Sequence, residues 1–145
     1  MNEAAKARED TRREMERKNL PFADEVYRTI GAAMEVHSRL GYGFLEAVYQ
    51  EALAIEFSIQ GIPSREQAGI ELHYRDRVLD KHYVCDFIVF DQIIVEIKAI
   101  PILGNPEIAQ ALNHLKSTGK PIALLINFGR SGNLEWRRLA MNPEE

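Results

Sequence analysis

The spacing of apolar residues predicts two helices in the first half of the chain. The first helix covers about 22–40 and buries one stripe of residues at helical intervals: Val26, Ile30, Ala33 and His37. Gly41 ends it, because glycine readily takes the left-handed backbone conformation just beyond a helix. A second helix over about 44–60 ends at Gly61.

Beyond Gly61, runs of β-branched and aromatic residues predict strands. We expect strands over about 69–74, 78–90, 93–100, 121–128 and 134–140, with one more helix over 105–118. That helix begins at Asn105-Pro106-Glu107, where Asn105 is the expected side-chain cap. The order ααβββαββ predicts an α/β (α+β) fold, in which helices flank the core, a mixed β-sheet.

The first 19 residues differ in composition from the rest of the chain. They carry six Lys/Arg and five Asp/Glu and almost no large apolar side chains. We interpret 1–19 as a charged N-terminal arm, either a frayed helix or a disordered segment. Residues 20–145 are predicted to form a single domain.

Composition and charge limit the classes of function. No apolar run approaches the roughly 20 residues that span a bilayer, and the charged start MNEAAKARED lacks the apolar stretch of a secretory signal. With a single cysteine, these features predict a cytoplasmic protein without a membrane partner. The net charge of −4 is unusual for a protein that binds nucleic acid mainly through its phosphates.

Three charged residues interrupt the apolar strands. Asp86 lies within Val84–Phe90, and Glu96 and Lys98 lie within Ile93–Ile100. Strand side chains alternate between faces, so Glu96 and Lys98 point the same way. Burying an unpaired charge costs several kcal/mol. A divalent metal, an internal ion pair, or exposure at the edge of the sheet must therefore compensate for them.

The turn between these two strands decides whether Asp86 reaches the same face. A two-residue loop at Asp91-Gln92 would set Asp86 opposite Ile97 and turn it away from Glu96. An odd number of loop residues, or a bulge, brings the acids together. We predict a three-residue connection, 91–93, with Asp86 across from Lys98.

Several further polar residues on the predicted helices add weight to a functional site. Glu46 and Tyr49 share a face of the second helix. Glu46 is flanked by apolar residues and so lies near a buried surface, with an exposed helix carboxylate as the equal alternative. Gln110 and His114 are four apart on the third helix, beside its apolar stripe, where a surface position is the alternative. His37 falls on an apolar stripe, which favours a core histidine over one that binds substrate.

The segment Gly43-Phe44-Leu45-Glu46-Ala47-Val48-Tyr49 matches the G-x-x-E-x-x-Y signature of the GxxExxY protein family. That family resembles the PD-(D/E)XK nuclease superfamily. The match continues through Asp86, Glu96-Ile97-Lys98 and the helix that carries Gln110, over about 22–128. It implies a restriction-endonuclease-like fold for the domain 20–145.

The resemblance also implies roles for these residues. Mg²⁺ or Mn²⁺ would be bound by Asp86 and Glu96, helped by the carbonyl of Ile97 and by Glu46. Lys98 would orient or deprotonate the attacking water and stabilise the charged phosphate. Gln110 corresponds to the glutamine of a Q-x-x-x-Y element. His114 replaces the tyrosine of that element and is, with Tyr49 and His37, a candidate for contact with substrate.

These features favour a metal-dependent nuclease, a phosphodiesterase that hydrolyses nucleic acid, with DNA as the first expectation. Its catalytic set would be Glu46, Asp86, Glu96, Lys98 and Gln110. The alternatives are a non-catalytic nucleic-acid or protein-binding module on the same scaffold and, less favoured, a small-molecule metal hydrolase. The last two segments, with Trp136, form either a homodimer face or, as we prefer, part of the core.

Overall fold

One mixed sheet organises the chain, and its strands lie in sequence order. The computed structural model describes residues 2–18 and 20–141. The strands are β1 (Ser64–Tyr74), β2 (Arg77–Val89), β3 (Ile93–Lys98), β4 (Ile122–Asn127) and β5 (Glu135–Ala140). All neighbouring pairs are antiparallel except β3 and β4, which are parallel because α4 connects them. The predicted fold class, a mixed sheet flanked by helices, is confirmed.

The helices are α1 (Glu3–Lys18), α2 (Ala23–Leu40), α3 (Glu46–Gln60) and α4 (Asn105–Thr118). The charged arm is therefore a helix over the residues described, and it packs on α2 instead of extending into solvent. Arg8 lies 3.8 Å from Glu35, and the Arg12 guanidinium lies 5.5 Å from the centre of the Tyr27 ring. The predicted boundary at Asn19 and the segment 142–145 lie outside the described residues.

Apolar residues cover both faces of the sheet. The larger cluster joins α2 and α3 to one face, and in it Phe57 and Phe87 meet edge to face at 5.1 Å. The smaller cluster lies under α4 and contains Ile94 and Leu115. Because side chains of β3 alternate, Ile97 enters the larger cluster while Glu96 and Lys98 point toward α4.

Two predicted boundaries need correction. β1 begins at Ser64 instead of 69, because Ser-Arg-Glu-Gln carries no apolar signal and becomes a strand only by pairing with β2. The cap of α4 is Gly104 instead of Asn105. The N–H of Gly104 donates to the Glu107 carboxylate over 2.8 Å. Trp136 packs against the larger cluster, as the core alternative predicts.

The turn between β2 and β3 has the predicted length but a different position. Val89 is paired with Ile93, so the connection is 90–92 instead of 91–93. Phe90 takes a left-handed conformation with φ of 53°, and its N–H donates to Pro63 over 2.9 Å. Continued along the strands, this register sets Asp86 beside Glu96 instead of Lys98. Asp86 and Glu96 still share a face of the sheet, because the connection between β2 and β3 still contains an odd number of residues.

Candidate active site

Two residues of α4 each hold one charged residue of β3. The amide oxygen of Gln110 accepts a hydrogen bond from Lys98 Nζ over 3.1 Å, and Nδ1 of His114 pairs with Oε1 of Glu96. The spacings match, because four residues of a helix rise about 6 Å and two residues of a strand advance about 6.6 Å. α4 thus runs antiparallel to β3 and carries one partner for each charge.

His114 is buried, contrary to the surface position that its place beside the apolar stripe suggested. Only 4% of it is exposed, and Glu96 is 8% exposed. The neighbouring Ala111 and Leu115 bury this side of α4 against the sheet, and the ring of Tyr83 covers the imidazole at 4.4 Å. His114 therefore contacts Glu96, and its contact with substrate stays a prediction.

Asp86 is half-buried in β2, next to the residues of this strand that pair with β3. Its Oδ2 accepts a hydrogen bond from the backbone N–H of Ile97 over 2.8 Å. The pKa of Asp86 is raised to about 6, chiefly by burial and then by the charges of Glu96 and Glu46, while the hydrogen bond from Ile97 and the charge of Lys98 act in the opposite direction. Glu46 is thus close enough to act on Asp86, so α3, β2 and β3 all supply acids to this region.

The G-x-x-E-x-x-Y segment has a structural explanation. Gly43 has a φ of 108°, a backbone conformation that residues with a side chain rarely adopt. Tyr49 is fully buried, and its hydroxyl donates to the Gly41 carbonyl over 2.6 Å and accepts from the Phe44 N–H over 3.3 Å. Glu46, the first residue of α3, is exposed.

Tyr49 thus uses its hydroxyl to bond two backbone groups, and its contact with substrate stays a prediction. Tyr49 stabilises the turn that precedes Glu46, because a buried hydroxyl is stabilised by pairing with backbone groups. In this signature the glycine permits the turn, the tyrosine closes it, and the glutamate is presented to solvent at the start of the helix.

His37 lies apart from this cluster. Its Nε2 is 2.8 Å from the carbonyl oxygen of Arg130, and its ring is 6.2 Å from that of Phe128. It is buried among residues that fix the loop after β4. The structure thus brings together Glu46, Asp86, Glu96, Lys98, Gln110 and His114, but not His37, in agreement with a histidine held in the core.

Sequence reasoning missed a pair that fixes the loop between β3 and α4. Asn127 is fully buried, and its side chain accepts from the Ile100 N–H over 3.0 Å and donates to the Ile100 carbonyl over 2.9 Å. Oε1 of Glu135 accepts from Asn127 and from the Leu103 N–H, each over 2.9 Å. An asparagine inside the apolar run of β4 is the signal that would have indicated it.

The residues present fit a hard divalent cation. Asp86 and Glu96 are adjacent oxygen donors, and Mg²⁺ needs only one or two carboxylates because it retains several waters. Burial, followed by the charge of Glu96, raises the pKa of Cys85 to about 11, so this thiol stays protonated and is a poor ligand. Among the described residues, no group of three or more His, Cys, Asp or Glu is arranged so that it could hold a metal ion.

Comparisons with known proteins show which superfamily the chain belongs to. The model of the PD-(D/E)XK nuclease superfamily matches residues 23–139. No curated protein matches the chain. The crystal structure of SSO0001 superposes with a TM-score of 0.49 at 13% sequence identity, over 82% of this chain. The chain spans 59% of the length of that protein. None of the helices described here has the length and apolar character that crossing a bilayer requires. Since the family model covers most of its length, the chain belongs to the PD-(D/E)XK nuclease superfamily.

Proposed function

We propose that this protein is a metal-dependent phosphodiesterase that hydrolyses nucleic acid, with DNA as its substrate. The observation that carries the proposal is the meeting of Asp86, Glu96 and Lys98 on one face of β2 and β3, beside Gln110 and His114. A binding module has no use for two acids and a lysine in an apolar sheet, because burying them costs stability.

Asp86 and Glu96 would hold Mg²⁺ or Mn²⁺, together with the carbonyl of Ile97 and with Glu46. When bound, such a cation acidifies water and offsets negative charge on the scissile phosphate. The closeness of the acids supports this assignment, since the pKa of Asp86 is raised by burial and by the negative charges of Glu96 and Glu46. A cation would relieve that repulsion.

Lys98 is the proposed catalytic residue that orients the attacking water and stabilises charge on the phosphate. Its ammonium is held by the Gln110 amide over 3.1 Å, so its position is fixed before substrate binds. In the reaction the water oxygen forms a bond to phosphorus and the P–O ester bond breaks. The proton of the water ends on the departing oxygen.

We assign the chain more narrowly to the GxxExxY family, on the strength of Gly43, Glu46 and Tyr49 and the contacts that they make. We also propose that it acts in the cytoplasm. A homodimer stays a prediction from the sequence, and the packing of Trp136 into the larger cluster favours a core role for that residue.

One observation favours a non-catalytic binding module on the same scaffold. The net charge of −4 weakens binding to the phosphates of nucleic acid. Outside the first 19 residues, 12 basic and 17 acidic groups give a net charge of −5. An acidic surface is better suited to a basic protein partner than to DNA.

The decisive experiment is cleavage of labelled single-stranded DNA, duplex DNA and RNA with Mn²⁺ or Mg²⁺. We expect the wild type to cut DNA only when metal is present. Lys98→Ala should lose at least 100-fold in rate, on the order of a lost general acid or base. Lys116→Ala removes an exposed lysine of α4 and serves as the matched control. Absence of cutting on all three substrates would instead support the binding module.

A further inference from the structure

The imidazole of His114 is buried with a single polar contact. Nδ1 faces Glu96, while Nε2 has no hydrogen-bond partner among the described residues. On its outer side the ring meets Tyr83 at 4.4 Å. Burying a polar nitrogen without a partner costs free energy. The contact with Glu96 is therefore the one described polar interaction that offsets the burial of this ring.

We propose that His114 is a positioning residue that holds the Glu96 carboxylate in the orientation in which it binds a divalent cation. This inference rests on the proposed function. A carboxylate accepts hydrogen bonds, so Nδ1 donates to Oε1, and Oε2 is left for the cation.

The elements that carry His114 and Glu96 keep the two side chains in place relative to each other. Glu96 is fixed in β3, the central strand of the sheet, and His114 in α4, one turn from Gln110 and its bond to Lys98. The ring of Tyr83 packs against the imidazole at 4.4 Å. A ligand whose side chain is already ordered binds metal with a smaller loss of conformational entropy, and such supporting contacts commonly change metal affinity 10–100-fold.

Isothermal titration of the full chain with Mn²⁺ alone tests the role. We expect His114→Leu, which removes the donor while filling a similar space, to weaken Mn²⁺ binding about 10–100-fold. His114→Asn should stay within a few-fold of wild type, because its amide nitrogen can replace Nδ1 as the donor. Asn113→Ala, an exposed change on the same helix, is the control and should bind as the wild type does.

The outcomes separate the inference from the function on which it rests. If the wild type binds Mn²⁺ and His114→Leu binds it equally well, the positioning role is overturned and the metal site stands. If the wild type binds no Mn²⁺, the positioning role and the proposed metal-dependent function are both overturned. His114→Ala replaces His114→Leu should the latter not fold. If neither folds under conditions where Asn113→Ala does, the imidazole is a structural requirement of the core and the positioning role is also overturned.

Discussion

Asp86 accepts a hydrogen bond from the backbone N–H of Ile97, and this 2.8 Å contact joins β2 to β3 at the candidate active site. The donor is neutral, so it orients the carboxylate without neutralising it. Burial and the nearby acids raise the pKa of Asp86 to about 6, above its ordinary value of 3.8. In the metal-free protein, the charged form of this residue is therefore destabilised by the fold.

Asp86→Asn should stabilise the metal-free protein at pH 8 and leave its stability nearly unchanged at pH 4. Because the pKa of Asp86 is higher in the folded than in the unfolded state, the wild type loses stability as pH rises from about 4 through 6. Asparagine accepts the same hydrogen bond without the charge. We expect a gain on the order of 1–2 kcal/mol after allowance for partial solvent exposure.

Urea denaturation in EDTA at the two pH values would measure this difference. Asp80→Asn, an exposed change on β2, is the matched control and should be neutral at both. A gain for Asp86→Asn that is the same at pH 4 and pH 8 would contradict the electrostatic explanation.

Adding Mn²⁺ should make the wild type more stable than Asp86→Asn, the reverse of their order without metal. Mn²⁺ at 100 times its dissociation constant would stabilise the wild type by about 2.7 kcal/mol, because it binds only the folded chain. Asp86→Asn removes a proposed ligand and should melt at the same temperature with and without Mn²⁺. Thermal melting at pH 7.5 checks this. Equal responses of the two proteins would exclude Asp86 as a ligand.

The sequence predicts most of the sheet, and it singles out three charged residues that the structure brings together. Pro106 and Gly119 mark the ends of α4 because one favours the first helical turn and the other the left-handed conformation beyond the last. Charges within apolar strands are rare because they are costly to bury, which makes Asp86, Glu96 and Lys98 visible without a structure.

What the sequence does not predict depends on contacts between distant residues. Phe90 looks like a strand residue, but its N–H bonds to Pro63, and the register moves by two residues. The burial of His114 follows from the contact with Tyr83, which lies 31 positions earlier. Tyr49 sits near Glu46 in sequence, yet its hydroxyl points to Gly41. Periodicity carries no information about such pairings.

Tyr49→Phe should destabilise the protein by about 1–3 kcal/mol, because it leaves the Gly41 carbonyl and the Phe44 N–H without their partner. Tyr42→Phe is the matched control, since the Tyr42 side chain is 61% exposed. Chemical denaturation gives the two free energies of unfolding. Equal stability of Tyr49→Phe and the wild type would mean that water replaces the hydroxyl, and that the tyrosine does not close the turn.

Glu135→Gln should destabilise the protein near neutral pH, with the loss disappearing in acid. Burial alone would raise the pKa of Glu135, but hydrogen bonds from Asn127 and Leu103 and the charge of Arg130 lower it overall. A pKa lowered by folding contributes stability above its unfolded value and loses it as pH falls through the folded one. Glutamine keeps the acceptor oxygen and removes the charge, so we expect a loss of roughly 1 kcal/mol or less.

Urea denaturation at pH 7 and pH 3 measures the effect, with Glu51→Gln, an exposed change on α3, as the control. Glu135 bonds to Leu103 in the loop that leads from β3 to α4, so its charge also bears on the site. Lys98 ends β3 before that loop and Gln110 lies in α4 after it, so a looser loop would separate the two side chains. A Glu135→Gln variant that is less stable should therefore also cut DNA more slowly, whereas unchanged stability at pH 7 would show that the charge of Glu135 does not hold this loop.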